Sequence, residues 1–145
     1  MLVLVILIVS LLVFRTLGFA GLAPFELWQA SARYAMAVML FFTAGAHFTR
    51  MKDDLVRMMP PWIPRPRAVV WFTGLCEAAG AIGLIIPALS RIAGVCLMIF
   101  FVAILPANIH AARAGVTLRG KPATPLALRI PMQLLFIAWA WWSTR

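Results

Sequence analysis

Long apolar runs alternate along this chain with short basic segments that contain proline. Runs of about 20 apolar residues are long enough to cross the hydrocarbon core of a bilayer as a helix. This pattern predicts five such helices, over residues 1–20 and about 28–48, 68–87, 92–112 and 125–143. Because a helix satisfies its own backbone hydrogen bonds in lipid, the pattern indicates an all-α integral membrane protein.

The first apolar run extends from Leu2 to Phe14 and continues through Arg15 to about Ala20. A secretory signal is the competing interpretation, but the run has no basic segment before it and no convincing cleavage site of small residues. We therefore expect a retained N-terminal membrane helix. Arg15 lies near its end, where a long cationic side chain can extend to the membrane surface.

Composition supports a membrane location and argues against a nucleic-acid partner. Hydrophobic residues make up 64% of the chain and the mean hydropathy is +0.99, whereas soluble domains are about 45–50% apolar. The formal charge of +9 is concentrated between apolar runs, so membrane topology explains it better than nucleic-acid binding.

The basic loops predict the orientation. One spans Thr49–Arg67 and the other spans Arg113–Ala123, and an even number of predicted crossings separates them. Both therefore lie on one side of the membrane, which the positive-inside rule makes cytoplasmic. With five helices the N-terminus is cytoplasmic and the C-terminus is outside. The bases that carry this inference are Arg50, Lys52, Arg57, Arg65, Arg67, Arg113, Arg119 and Lys121.

Prolines shape the segments around the predicted helices. In the loop Thr49–Arg67, the prolines exclude a continuous helix, and the apolar residues Met58, Met59, Trp62 and Ile63 predict an irregular loop on the bilayer surface. Pro106 should kink the fourth helix or free a carbonyl. Thr124 is expected to cap the last helix, with Pro125 at its first position.

Glu77 lies at the centre of the apolar run 68–87, where a carboxylate is costly by roughly 3 kcal/mol. Thr73, Gly74, Gly80 and Ala81 share its helix face at three- and four-residue spacing. Small residues in membrane helices mark places where another helix approaches closely. Glu77 is therefore predicted to face protein rather than lipid.

The remaining polar residues of the predicted helices fall at similar depths. At 1.5 Å per residue from the cytoplasmic ends, Asn108 and Arg129 lie about 6 Å deep, Gln133 about 12 Å and Glu77 about 14 Å. His47 and His110 lie near the surface, and Thr43 shares a face with His47. Antiparallel packing would collect these residues, with Arg129 able to reach Glu77. The candidate cluster is Glu77, Arg129, Gln133, Asn108, His47, Thr43 and His110.

The cluster leaves three chemical interpretations open. Polar residues between membrane helices often only hold the helices together, and the same residues would suit a quinone, another small ligand or a proton. Metal binding through the histidines and Glu77 is the weakest of the three, because their depths differ. Haem on His47 and His110 has no other support, and Cys76 and Cys96 are expected to be packing residues. No metal site is predicted.

An ordered set of short motifs resembles the DoxX family of small bacterial membrane proteins. The motifs are Gly45-Ala46-His47-Phe48, Met59-Pro60-Pro61-Trp62-Ile63-Pro64, Thr73-Gly74 with Glu77, Pro106-Ala107-Asn108 and Arg129-Ile130-Pro131-Met132-Gln133. The resemblance covers roughly residues 35–142. It implies an inner-membrane four-helix bundle over residues 26–145, to which the helix over residues 1–20 is an addition.

The resemblance also implies redox functions. The family name comes from a subunit of a thiosulfate:quinone oxidoreductase, other members are linked to redox and thiol-stress complexes, and distant relatives act as membrane chaperones. The first hypothesis is therefore a redox-associated membrane subunit that binds a quinone or a similar amphipathic ligand. Glu77 and Arg129 would form a charged pair, while Asn108, Gln133 and His47 would bind the headgroup. As an enzyme it is at most a membrane subunit of an oxidoreductase complex.

The second hypothesis is a non-enzymatic assembly or chaperone-like protein. Its buried polar residues would only lock the helices together, and the loop Met58–Ile63 would contact a partner membrane or redox protein. A transporter is a weaker third interpretation, since so small a chain would have to form a homo-oligomer to enclose a pathway.

Overall fold

The computed structural model describes residues 2–118, 120–122 and 124–145, and over these residues the protein is almost wholly α-helical. The predicted all-α class is confirmed. The helices are α1 (Leu2–Phe19), α2 (Trp28–Phe48), α3 (Lys52–Met58), α4 (Pro66–Ile85), α5 (Ser90–Ala103), α6 (Leu105–Arg113) and α7 (Leu126–Ser143). A 3-10 turn, Ala23–Phe25, precedes α2, and a short antiparallel ladder between β1 (Thr117–Leu118) and β2 (Lys121–Pro122) precedes α7.

Within the described residues, 3 helical segments are long and apolar enough to cross a membrane. They are Leu2–Phe19, Pro66–Ile85 and Ser90–Arg113. The outward surfaces of the helices are also strongly apolar, with large exposed side chains such as Ile8, Trp71, Phe72, Ile99 and Leu134. Large exposed apolar side chains of this kind suit contact with lipid. The fold is therefore compatible with a membrane protein.

The segment Ser90–Arg113 is interrupted where the sequence predicts a disturbance. Helix α5 ends at Ala103, Ile104 separates the two helices, and Pro106 occupies the first turn of α6. Proline lacks the N–H of a helix interior but is tolerated in a first turn. The helix therefore restarts around Pro106 instead of running through it.

Helix α2 lies at the centre of the packing. It contacts α1, α4 and α7, while α5 contacts both α4 and α7. The apolar core between these helices includes Leu7, Met36, Leu40, Leu97 and Phe136. Trp139 on α7 adds a polar link, because its indole N–H donates to the carbonyl oxygen of Ala32 at 2.9 Å.

The buried face of α4 carries Val70, Gly74, Glu77, Ala81 and Leu84. Their spacing of four and three residues is that of one helical face. Glu77 is only 8% exposed, which confirms that this carboxyl group faces protein. The small residues allow close packing: a side chain at Gly83 would place its Cβ 2.8 Å from the Cβ of Ala93.

Arg15 corrects one prediction, because its side chain does not extend to the surface and is only 7% exposed. Its Nη1 donates to the carbonyl oxygens of Phe25 at 2.8 Å and Glu26 at 2.7 Å. The guanidinium also lies 4.5 Å from the ring centroids of Phe19 and Trp28. The carbonyl oxygens of the turn before α2 therefore accept the hydrogen bonds of the Arg15 guanidinium, a role that the sequence assigned to water at the membrane surface.

A second correction concerns the loop after α2, which contains the helix α3. Asp53 and Asp54 lie in its first turn and Arg57 in its last, a distribution that favours the helix dipole. Asp54 also forms an ion pair with Arg57. The prolines that exclude a continuous helix begin only at Pro60, after α3 has ended.

The surface expected around Met58, Met59, Trp62 and Ile63 is likewise only partly present. Met58 is buried and Met59 is half-buried, whereas the Trp62 side chain is 72% exposed. The cause is the helical conformation of residues 52–58, which turns Met58 inwards. Only the part of the segment that follows the first prolines carries a large exposed side chain.

The start of α7 differs by one residue from the expectation. Leu126 is its first helical residue and Pro125 occupies the N-cap position, so Thr124 does not cap the helix. Met1, Arg119 and Ala123 lie outside the described residues. Met1 is the first residue of the predicted N-terminal helix, and Arg119 is one of the bases on which the predicted orientation rests.

Candidate ligand-binding cavity

A cavity of about 580 Å³ lies between α2, α4, α6 and α7, beside α3. Small-molecule sites in proteins typically occupy about 300–1,000 Å³, so this volume is large enough for a ring-containing ligand. Its walls are mostly apolar and include Met39, Met58, Phe100, Met132 and Phe136. The polar side chains of its lining are Thr43, His47, Thr49, Thr73, Glu77, Asn108, Thr124, Arg129 and Gln133.

All the predicted site residues except His110 line this cavity. They come from four helices: Thr43 and His47 from α2, Glu77 from α4, Asn108 from α6, and Arg129 with Gln133 from α7. His110 instead lies 3.1 Å from the carbonyl oxygen of Met58 through its Nδ1. His110 therefore links α6 to the end of α3 and does not contribute to the cavity wall.

His47 joins α2 to α4 through its ring nitrogen Nδ1, which lies 2.7 Å from the carbonyl oxygen of Val70. A carbonyl oxygen only accepts, so Nδ1 carries the hydrogen. The Thr73 hydroxyl lies 3.3 Å from the same nitrogen and donates its own hydrogen to Val70. Nδ1 is thus occupied, and Nε2 is the nitrogen of His47 that is free for other chemistry.

Glu77 lies directly opposite that second nitrogen, with its Oε1 3.6 Å from Nε2 of His47. Because Nδ1 already holds a hydrogen, this approach is favourable when one proton is present between Nε2 and the carboxyl group. The proton resides either on Nε2, giving an imidazolium beside a carboxylate, or on Oε1, giving two neutral groups. The other carboxyl oxygen, Oε2, is buried and has no hydrogen-bond partner.

Arg129 does not form the predicted pair with Glu77: its Nη1 donates to Oδ1 of Asn108. Depth along a helix fixes the height of a residue but not the direction of its side chain around the helix axis. Arg129 on α7 points towards the neighbouring α6, whereas Glu77 on α4 points towards α2. The Nε of Arg129 is buried without a partner.

Three buried polar atoms of the cavity residues therefore lack partners: Glu77 Oε2, Gln133 Oε1 and Arg129 Nε. A buried polar atom without a hydrogen bond costs about 1–3 kcal/mol, which is why such atoms are rare in folded proteins. All three atoms belong to residues that line the cavity, and each atom is itself covered by neighbouring protein atoms.

Part of this lining differs from the expectation from sequence. The small size of Thr73 predicts close packing and not the hydrogen bond of its hydroxyl group, and Met58 and Met59, which are predicted on the bilayer surface, line the cavity. The available signal was the three-residue spacing between Val70 and Thr73, which puts this hydroxyl group beside the carbonyl that His47 uses. Within the described residues, no group of three or more His, Cys, Asp and Glu side chains is arranged to hold a metal ion.

Together these features define a helical protein with apolar helices of membrane-spanning length and a mostly apolar cavity that carries a few polar side chains. The chain belongs to the family described as Domain of unknown function (DUF8561), whose model matches residues 36–144. The matched range includes every predicted site residue, and α1 lies outside it. The chain has no match among curated proteins and none among solved structures.

Proposed function

We propose that this protein is a DoxX-like, multi-pass membrane protein that binds a quinone or a similar amphipathic small molecule in the cavity, as a redox-associated membrane subunit. The observation that carries this proposal is the meeting of polar side chains from four helices at one cavity of about 580 Å³. The side chains of Glu77, Arg129 and Gln133 line that cavity and supply the few polar groups that orient a ligand among apolar walls.

The proposed architecture is a four-helix membrane bundle with one additional helix. Contacts between α2 and α4, α4 and α5, α5 and α7, and α7 and α2 support a closed arrangement of these helices. Helix α1 packs on α2 at the outside of this group. The proposed location is the bacterial inner membrane, with five crossings, both basic loops and the N-terminus in the cytoplasm, and the C-terminus outside.

The lining matches the two parts of a quinone-like ligand. A ring would lie between aromatic and thioether side chains such as Phe100, Phe136 and Met132, which pack well against flat apolar groups. A ring oxygen would accept from the guanidinium of Arg129, which lines the cavity. An apolar tail would leave past Leu2 and Val3 of α1, which also line the cavity. Electron transfer would occur with a partner redox protein in the same membrane.

The test is to identify what the purified full-length protein carries. Protein in mild detergent or lipid discs is extracted with organic solvent, and the extract is measured by absorption and mass spectrometry. We expect about one quinone per chain in the wild type. Glu77→Gln should lose it while keeping its thermal stability, because the change replaces the carboxyl group by an amide of nearly the same shape.

Glu26→Gln is the matched control, since it makes the same substitution at an exposed residue outside the cavity. It should retain the quinone of the wild type. An extract without quinone from the wild type, or equal quinone in Glu77→Gln and wild type, would contradict the proposal.

A second candidate function is a membrane assembly or chaperone-like role without a ligand. Two interhelical hydrogen bonds favour it, because His47 joins α2 to Val70 of α4 and Arg129 joins α7 to Asn108 of α6. In that case Glu77→Gln lowers thermal stability and a single stoichiometric partner co-purifies. Trp62, with its exposed side chain, is the residue of the proposed contact loop that remains available.

A further inference from the structure

We infer that the ligand enters the cavity sideways from the lipid, polar end first, through an opening at Gly45 of α2 beside the start of α1. This inference rests on the proposed function and adds the route by which that ligand reaches its site. It is carried by the exposed residues of the cavity lining and by the surroundings of Gly45.

The cavity opens to the exterior at one group of residues. Of the described residues that line it, the exposed ones are Leu2, Phe42, Gly45 and Thr49. Phe42, Gly45 and Thr49 follow one another at three- and four-residue spacing, so they share one face at the end of α2. Leu2 lies at the level of Gly45, because both are about 26 Å along their helices from the corner that joins α1 to α2. The four residues therefore form the rim of one opening.

Neither close packing nor backbone conformation requires a glycine at position 45. The chain has nine glycines, and at five of them a Cβ would lie between 2.1 and 2.8 Å from a neighbouring atom: Gly18, Gly74, Gly80, Gly83 and Gly94. Three others have a positive φ: Gly21, Gly115 and Gly120. Gly45 is helical, and a Cβ there would meet nothing within 4 Å. Because glycine is a poorer helix former than alanine, what it preserves here is open space at the rim.

The surface around this opening suits lipid. Phe41 and Phe48 lie four and three residues from Gly45 on the same side of α2, and they are 43% and 47% exposed. The polar group of the rim, the Thr49 hydroxyl, donates to the carbonyl oxygen of Ala46 at 3.1 Å. The rim therefore presents aromatic and aliphatic surface, which a lipid chain covers and water does not.

The polar residues of the lining lie away from the rim. Glu77, Asn108 and Gln133 line the cavity, and each is only 8% exposed. The cavity is thus apolar where it opens and polar where it is covered. An amphipathic molecule fits this order when its polar ring lies inside and its apolar tail extends into the lipid. A water-soluble molecule would first have to cross the apolar surface around Gly45.

The test measures how fast a bound ligand exchanges. Full-length protein in lipid discs is loaded with decylubiquinone and mixed with the deuterated compound, and native mass spectrometry at timed intervals gives the exchange rate. Titration by the same method gives the Kd. Gly45→Phe should slow exchange at least about tenfold, because the ring fills the opening, while the Kd changes less than about twofold, since the covered polar residues remain. Phe42→Ala removes a ring from the rim and should speed exchange.

Val38→Phe is the matched control, because it adds the same ring at an exposed position of α2 outside the cavity lining. It should exchange at the rate of the wild type. A nitroxide on Gly45→Cys, in a background of Cys76→Ala and Cys96→Ala, should collide more often with oxygen, which concentrates in lipid, than with a water-soluble nickel complex.

Exchange at the wild-type rate in Gly45→Phe, equal slowing in Val38→Phe, or preferred collision with the nickel complex would overturn this inference. A wild-type dimer that Gly45→Phe converts to a monomer would assign Gly45 to a contact between two copies, and would overturn it as well. In each case, binding of decylubiquinone by the wild type leaves the proposed function standing. Wild-type protein that does not bind the probe would overturn both.

Discussion

A methyl group on the Cα of Gly74 would lie 2.6 Å from the Cβ of His47 and 2.9 Å from its Cγ. At this point the backbone of α4 therefore contacts the His47 side chain of α2. The close approach is what brings Nδ1 of His47 within 2.7 Å of the Val70 carbonyl oxygen. Gly74 thus sets the position of the imidazole that faces Glu77.

Gly74→Ala should destabilise the protein and displace His47. Overpacking in a close contact costs about 1–3 kcal/mol, and here the contact is with a Cβ atom that cannot rotate away. The measurements are thermal unfolding in detergent and quinone retention, both of which should fall. Gly45→Ala on α2 is the control, because a Cβ there meets nothing within 4 Å. Equal stability of the two variants would contradict the close contact.

Asn108 and Arg129 should be energetically coupled, because the guanidinium donates to the amide oxygen between α6 and α7. Asn108→Ala and Arg129→Met should each lower the free energy of unfolding. The double variant should lose less than the sum, with a coupling of about 0.5–3 kcal/mol. Reversible unfolding in mixed micelles provides the four values. Strictly additive losses would show that the pair makes no contribution.

Arg15→Met should loosen the corner between α1 and α2. It removes the two hydrogen bonds to Phe25 and Glu26, and bonds to charged donors contribute about 1.5–3 kcal/mol each. We expect a fall in unfolding temperature and a shift in tryptophan fluorescence, since Trp28 lies against the guanidinium. Arg91→Met, at an exposed position on α5, should change neither. A stable Arg15→Met protein would indicate that the corner is held by apolar packing alone.

The proposed topology places both basic loops on the same side of the membrane. In a background of Cys76→Ala and Cys96→Ala, single cysteines at the exposed positions Trp62 and Ala114 should react with an impermeant maleimide from the same side. That side should be the cytoplasmic one, accessible in inverted vesicles. A cysteine at Arg145 should react from the opposite side. Labelling of Trp62→Cys and Ala114→Cys from different sides would exclude an even number of crossings between them.

Sequence alone predicted the burial of Glu77 because small residues and helical spacing act together. Gly74 and Ala81 allow another helix to pack closely against their face of α4, and Glu77 on the same face is then buried by that helix. The interruption at Pro106 was predictable for a similarly local reason. Each inference needed only the order of residues along one helix.

The partner of Glu77 was beyond such local reasoning. Depth along each helix correctly brought Glu77, Arg129 and His47 towards one region, but the pairing depends on how each helix is rotated about its axis. Helix α3 differs from the prediction for another reason: the prolines begin only at Pro60 and do not constrain residues 52–58 before them. Because residues 52–58 form a helix, the Met58 side chain points inwards and lines the cavity.

The pairing of His47 with Glu77 also has an electrical consequence. When one proton lies between the two groups, on the imidazole or on the carboxyl group, the pair has no net charge. A transmembrane voltage performs work only when net charge moves, at about 2.3 kcal/mol per elementary charge and 100 mV. Proton movement within this pair transfers charge over only a short distance, 3.6 Å between Nε2 and Oε1. An uncharged ligand would therefore fill the cavity equally well in an energised and in a de-energised membrane.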